Sequence, residues 1–126
     1  MRTLQQIIIT ALTAVMMICS CSDNSKAKSL VDDFMENNMA DTVKVTDVVY
    51  SPLDSTTRMN DSIVDELRKE AHSIPLLKKG VTFTQKPSPT LRFMNVRYRT
   101  QNDSTLRQQT FYFDREVNGI VVVKNY

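Results

Sequence analysis

The stretch LRFMNVRYRT, Leu91–Thr100, decides the fold. Met94, Val96 and Tyr98 fall on one parity, and Asn95, Arg97 and Arg99 on the other. Successive side chains of a strand point to opposite faces, so this pattern predicts a strand buried on one side and solvated on the other. Working outward, residues 106–113 (LRQQTFYF) and 119–125 (GIVVVKN) are two further strand patterns. Phe111 and Phe113 share one face of the middle strand. Ile120 to Val123 is apolar on both parities, which predicts a place at the centre of the sheet or under a helix. Asn102-Asp103-Ser104 marks the first turn. DREVNG, residues 114–119, marks the second, where Asn118-Gly119 predicts a tight reversal at positive φ. Together they predict an antiparallel three-stranded meander.

Upstream of the meander the period changes. In residues 28–39, Leu30, Val31, Phe34, Met35 and Met39 recur at helical spacing, with Asp32, Asp33 and Glu36 on the other face. Ser29 with Asp32 reads as the start signal of that helix. Residues 42–50 (TVKVTDVVY) read as a strand. Val43 and Val45 share one parity and Val48 and Tyr50 the other, so the phase change at Thr46-Asp47 predicts a bulge or bend. Ser51-Pro52 ends it, because proline has no N–H for the ladder. Residues 53–60 read as a polar connection. A second helix opens at Asp61-Ser62, with Ser62 and Asp65 as a capping box and Ile63, Leu67, Ala71 and Ile74 as its apolar stripe. Glu66, Arg68, Lys69 and Glu70 read as solvent-facing, and Pro75 limits the helix to about Ser73. Val81 to Thr84 reads as a short strand, followed by a rigid Lys86-Pro87-Ser88-Pro89 connector.

Helix, strand, helix and meander predict one α+β domain over residues 28–126, with two helices packed on a curved antiparallel sheet of about four strands. This element order resembles the cystatin-like and NTF2-like group of small α+β folds.

The N-terminus carries an address. Arg2 supplies a positive charge, residues 7–18 form an apolar run broken only by Thr10 and Thr13, and Ser20 is small. These are the parts of a secretory signal over residues 1–20. The run falls short of the about 20 apolar residues needed to span a bilayer core. Ile18-Cys19-Ser20-Cys21 resembles a bacterial lipobox. The resemblance implies cleavage between Ser20 and Cys21, acylation of Cys21 and a palmitate-type anchor. A thiol suits this role because its thiolate is accessible near neutral pH. Ser22 to Ala27 (SDNSKA) reads as a tether reaching at most about 20 Å. The absence of aspartate at position 22 leans towards the outer membrane by analogy with envelope sorting, and Asp23 resembles the early acid of surface-exported Bacteroidetes lipoproteins.

Composition is ordinary for a globular protein, at 24% charged and 41% hydrophobic. With Cys19 and Cys21 the only cysteines, the body has no disulfide and no thiolate metal ligand. Net charge is unevenly spread: residues 21–76 carry a balance of −5 and residues 77–126 one of +6. The expected outcome is neutralisation of one half by the other within the fold.

Few residues carry chemistry. His72, the single histidine, falls near the end of the second helix, where it can meet C-terminal carbonyls. Gly80 and Gly119 are too few for a phosphate loop. The acid pairs Asp32-Asp33 and Asp65-Glu66 diverge on helices and do not converge on one proton. The expectation is therefore no enzyme, no metal and no cofactor. Arg97, Arg99 and Arg107 are the candidate anion-binding stripe, with Arg107 sharing its parity with Phe111 and Phe113 instead. Tyr98 lies opposite Arg97 and Arg99, so aromatic platforms are not interleaved with the charges and nucleic acid is not the expected partner. Four triplets, Asp41-Thr42-Val43, Asp54-Ser55-Thr56, Asp61-Ser62-Ile63 and Asp103-Ser104-Thr105, resemble the O-glycosylation triplet of Bacteroidetes exported proteins. Thr42, Ser55, Ser62 and Ser104 are its acceptors, with Ser55 and Ser104 expected in loops. The expected function is a lipid-anchored envelope module that binds a protein or small ligand. The alternatives are a small pocket enzyme and a structural subunit of an envelope complex.

Overall fold

The computed structural model describes residues 22–101 and 103–126. Residues 1–21, the stretch read as a signal sequence and lipobox, and Asn102 lie outside the described residues. The class is α+β, as expected, with two helices and an open five-stranded antiparallel sheet.

Helix α1 covers described residues 22–38. It therefore includes the segment read as a tether, and Ser29 and Asp32 sit inside it instead of opening it. The polar composition of residues 22–27 misled, because only Ala27 of that segment turns fully inward. Val31, Phe34, Met35 and, just past the helix, Met39 continue the buried stripe.

Strand β1, Val45–Tyr50, follows. Its register against β3 shifts between Thr46 and Val49, and Asp47 adopts φ 53. This is the bulge that the phase change predicts. It returns Val48 and Tyr50 to the side of Val43 and Val45, and all four pack on the main core. It also turns Val49 outward, opposite Arg97. The supposed connection after Pro52 contains a short strand, β2, Asp54–Thr56. Both β1 and β2 pair with β3, Leu91–Thr100, and Ser51 bridges them through hydrogen bonds to Asn95. They form one edge, interrupted where Pro52 lacks a donor.

Helix α2, Asp61–Ala71, has Asn60 as its cap, with the side-chain oxygen accepting the Ile63 N–H at 2.9 Å. The Ser62–Asp65 box is not used. Val64, Leu67 and Ala71 are buried, whereas Ile63 is exposed. Arg68 does not face solvent. Its Nε donates to the Val121 carbonyl at 3.1 Å and its terminal nitrogen to the Gln85 carbonyl at 2.7 Å. The expected strand at 81–84 is irregular chain, yet Val81 is buried and the Phe83 ring stacks on Phe34 with centroids 5.9 Å apart.

The meander forms as read, with β4 longer than expected at Asp103–Phe113 and β5 at Ile120–Asn125. The sheet order is β1-β3-β4-β5, so β5 is an edge strand and not a central one. It is apolar on both faces because α2 covers it. A register shift between Tyr112 and Phe113 bulges β5. Val121 and Val122 thereby both enter the cluster with Val64, Leu67 and Leu91, while Ile120 and Val123 join the main core. In the second turn the positive φ belongs to Val117, at 58, and not to Asn118 or Gly119. Asp114 holds that turn by accepting the N–H groups of Asn118 at 2.7 Å and Gly119 at 3.0 Å. A Cβ at Gly119 would sit 2.5 Å from the Gln85 side-chain oxygen, so a larger residue there would have to displace that flexible amide.

Candidate functional site

The alternation of β3 holds in three dimensions. Met94, Val96 and Tyr98 are fully buried, while Arg97 and Arg99 are exposed. The register carries this division into β4. Arg97 faces Gln108, Asn95 faces Thr110 and Tyr98 faces Arg107. Arg107 therefore lies on the other side of the sheet from Arg97 and Arg99, half-buried beside Tyr98. The three-arginine stripe reduces to two, because Arg107 shares the parity of Phe111 and Phe113.

On the open side, Val49, Ser51, Asn95, Arg97 and Gln108 line a shallow depression of about 230 Å³. Its floor is fixed by hydrogen bonds. Thr110 Oγ1 donates to Asn95 Oδ1 at 2.6 Å, and the Asn95 N–H donates to Ser51 Oγ at 2.8 Å. Arg99 at one end is steadied by its Nε donating to the Ser104 carbonyl at 3.0 Å. Val49 and Leu106 are unusually bare for apolar side chains, at 62% and 51% exposed. A guanidinium, two amides and two aliphatic groups on one rigid surface match an anionic group carried on an apolar neighbour.

Further depressions lie elsewhere among the described residues. One of about 280 Å³ lies between α1 and β1, with Met35, Met39, Val43 and Val45 inside and Glu36 and Asp41 at the rim. Asp41 is 3.5 Å from Lys78. Another, about 320 Å³, is bounded by Asp61, Asp65, Arg68, Lys86 and Pro87. His72 is exposed at the end of α2, where its backbone N–H donates to the Lys69 carbonyl at 3.3 Å and the Ser73 N–H donates to the Glu70 carbonyl at 3.0 Å. Among the described residues no group of three or more His, Cys, Asp or Glu could hold a metal, and no helix is long and apolar enough to cross a membrane.

Two ion pairs link the charge halves. Asp41–Lys78 and Asp23–Arg92 each join an acid of the first half to a base of the second. Inside the sheet, the Tyr98 hydroxyl finds no hydrogen-bond partner among the described residues, and burial pushes its pKa up to about 12, opposed by the Arg107 charge. Tyr50 is also raised to about 12, through burial first and then through its hydrogen bond to Asp32. Of the glycan acceptors, Ser55 and Ser104 are exposed but lie in β2 and β4 rather than in loops. Ser62 is exposed in the first turn of α2, and Thr42 is exposed in a turn.

Sequence reasoning missed Val49, Asn95 and Gln108 as lining residues. The signal for Val49 was present in the phase change at Asp47. The contribution of Gln108 needed the β3–β4 register. The fold and its uncovered sheet face define an α+β domain with an exposed basic surface. No family model matches the chain, and no curated protein and no solved structure matches it.

Proposed function

We propose that this protein is a lipid-anchored component of the bacterial cell envelope, held through Cys21, whose body is a non-enzymatic binding module. The single observation that carries the binding role is the uncovered sheet face, where Arg97, Gln108 and Asn95 surround a shallow depression beside the bare Val49 side chain. The lipobox-like residues Ile18 to Cys21 support the anchor, and the outer membrane is the favoured location on the same sorting analogy. The ligand class that fits the face is an envelope protein or small molecule presenting a carboxylate or phosphate next to an apolar group. Two ion pairs, Asp41–Lys78 and Asp23–Arg92, join the acidic half to the basic half.

A photo-crosslinking amino acid at Gln108 tests the face in the native envelope. A discrete adduct from position 108, absent when the same probe replaces Lys69 on α2, is the expected result. Equal adducts at both positions, or none at 108, refute the binding face. Incorporation of a fatty-acid analogue into wild type and not into Cys21→Ala tests the anchor, and label retained in the variant refutes it.

A further inference from the structure

We infer that the end of the domain around the start of α1 lies directly against the bilayer that carries the anchor, so the body is held in one orientation. The inference rests on the proposed acylation of Cys21, but its structural ground is separate. Residues 22–27 are not a free spacer. They are helical and clamped by three distant parts of the chain. Asp23 pairs with Arg92 at the start of β3, 3.7 Å away. Asn24 Oδ1 accepts the Leu53 N–H between β1 and β2 at 3.1 Å. Lys26 Nζ donates to the Glu116 carbonyl in the β4–β5 turn at 3.0 Å. Ala27 is fully buried beneath them.

Consecutive Cα atoms stand about 3.8 Å apart, so acyl chains on Cys21 begin one residue from this clamped helix. Such chains enter the hydrocarbon core, which brings Ser22 to headgroup level. From there α1 rises about 1.5 Å per residue and carries the body outward over about 24 Å to residue 38. The Asn38 carbonyl accepts the Lys78 N–H at 2.8 Å, so Lys79 marks the far end. The near end is marked by Leu53, Arg92 and Glu116. Asp23 and Arg92 offset one another there, so no single-sign field holds this end away from the headgroups. The partner of this surface is therefore the bilayer itself.

The test uses the full chain, expressed with its own signal and reconstituted into phosphatidylcholine vesicles containing a nitroxide-headgroup lipid. A thiol-reactive fluorophore is placed by Glu116→Cys or by Lys79→Cys, the sulfur of acylated Cys21 being blocked. From the helix rise, quenching at 116 is expected to exceed that at 79 by about threefold or more. Inserting a flexible Gly-Ser segment of roughly ten residues between Cys21 and Ser22 should abolish the difference. Equal quenching, stronger quenching at 79, or a difference that survives the insertion overturns the orientation. Mass analysis of the N-terminal peptide separates the two ideas. A bare Cys21 overturns the anchor and the orientation with it, whereas acylated Cys21 with equal quenching overturns the orientation alone.

Discussion

On one side of the sheet α1 lays Val31, Phe34 and Met35 over Met94, Val96, Phe111 and Phe113, and the Phe34 and Phe111 rings meet edge to face at 5.5 Å. On the other side α2 covers only the β5 end, through Val64 and Leu67 against Val121, Val122 and Leu91. The remainder of that side, around Arg97 and Arg99, is bare. The difference teaches that the two faces do different work. A strand with an apolar row and a polar row requires a helix on the first only. The small cluster exists because β5, apolar on both parities, requires cover that β3 does not.

Substitutions sharpen this comparison. Phe111→Ala removes a fully buried ring at the centre of the large cluster and should cost about 3–5 kcal/mol in urea unfolding. Leu67→Ala, in the small cluster nearer the surface, should cost about 2–3 kcal/mol. A loss at Leu67 equal to that at Phe111 would break the ranking of the two sides. Removing the α2 cap with Asn60→Ala should cost about 1 kcal/mol, with Ser62→Ala near neutral because the Ser62–Asp65 box is not formed.

Tyr98→Phe sharpens the buried side in another way. Deleting a buried hydroxyl that has no partner among the described residues should leave stability unchanged or raise it by up to about 1 kcal/mol. The pH dependence follows from the raised pKa. The folded phenol ionises near pH 12 and the unfolded one near pH 10, so the tyrosine's contribution is full below pH 10 and is lost as pH rises towards 12. Tyr98→Phe should therefore flatten the alkaline limb of a pH–stability profile, leaving the part due to Tyr50. An unchanged limb would show that Tyr98 is not held neutral by the fold. The smallest effect belongs to the open face. Arg97→Glu should alter unfolding free energy by no more than about 0.5 kcal/mol while abolishing the crosslink from position 108. A large loss of stability would show that the open face is part of the core.

Legibility in the sequence followed the range of the forces involved. The rows Met94-Val96-Tyr98 and Asn95-Arg97-Arg99 were plain, since period-two alternation is written into consecutive residues. The bulge at Asp47 was also legible, because it leaves a local break in phase. The role of Arg68 was not, since its partners are the Val121 and Gln85 carbonyls, brought to it only by folding. The turn at 114–119 misled for a similar reason. Asn118-Gly119 has the local preference for positive φ, but the turn that Asp114 builds places Val117 there, with its side chain buried. The candidate face was half legible: Arg97 and Arg99 from parity, Gln108 and Val49 only from register.

By itself, then, the sequence determined the number of strands in the meander, which of their rows is buried and the break in β1. Each is a matter of neighbours along the chain. Tertiary structure alone decided that β1 and β2 share one edge of β3, that β5 lies at the other edge beneath α2, that Arg107 parts from Arg97 and Arg99, and that residues 22–27 are helix. Those outcomes depend on which surfaces meet, and a polar hexapeptide becomes helix when Arg92, Leu53 and Glu116 are there to receive it.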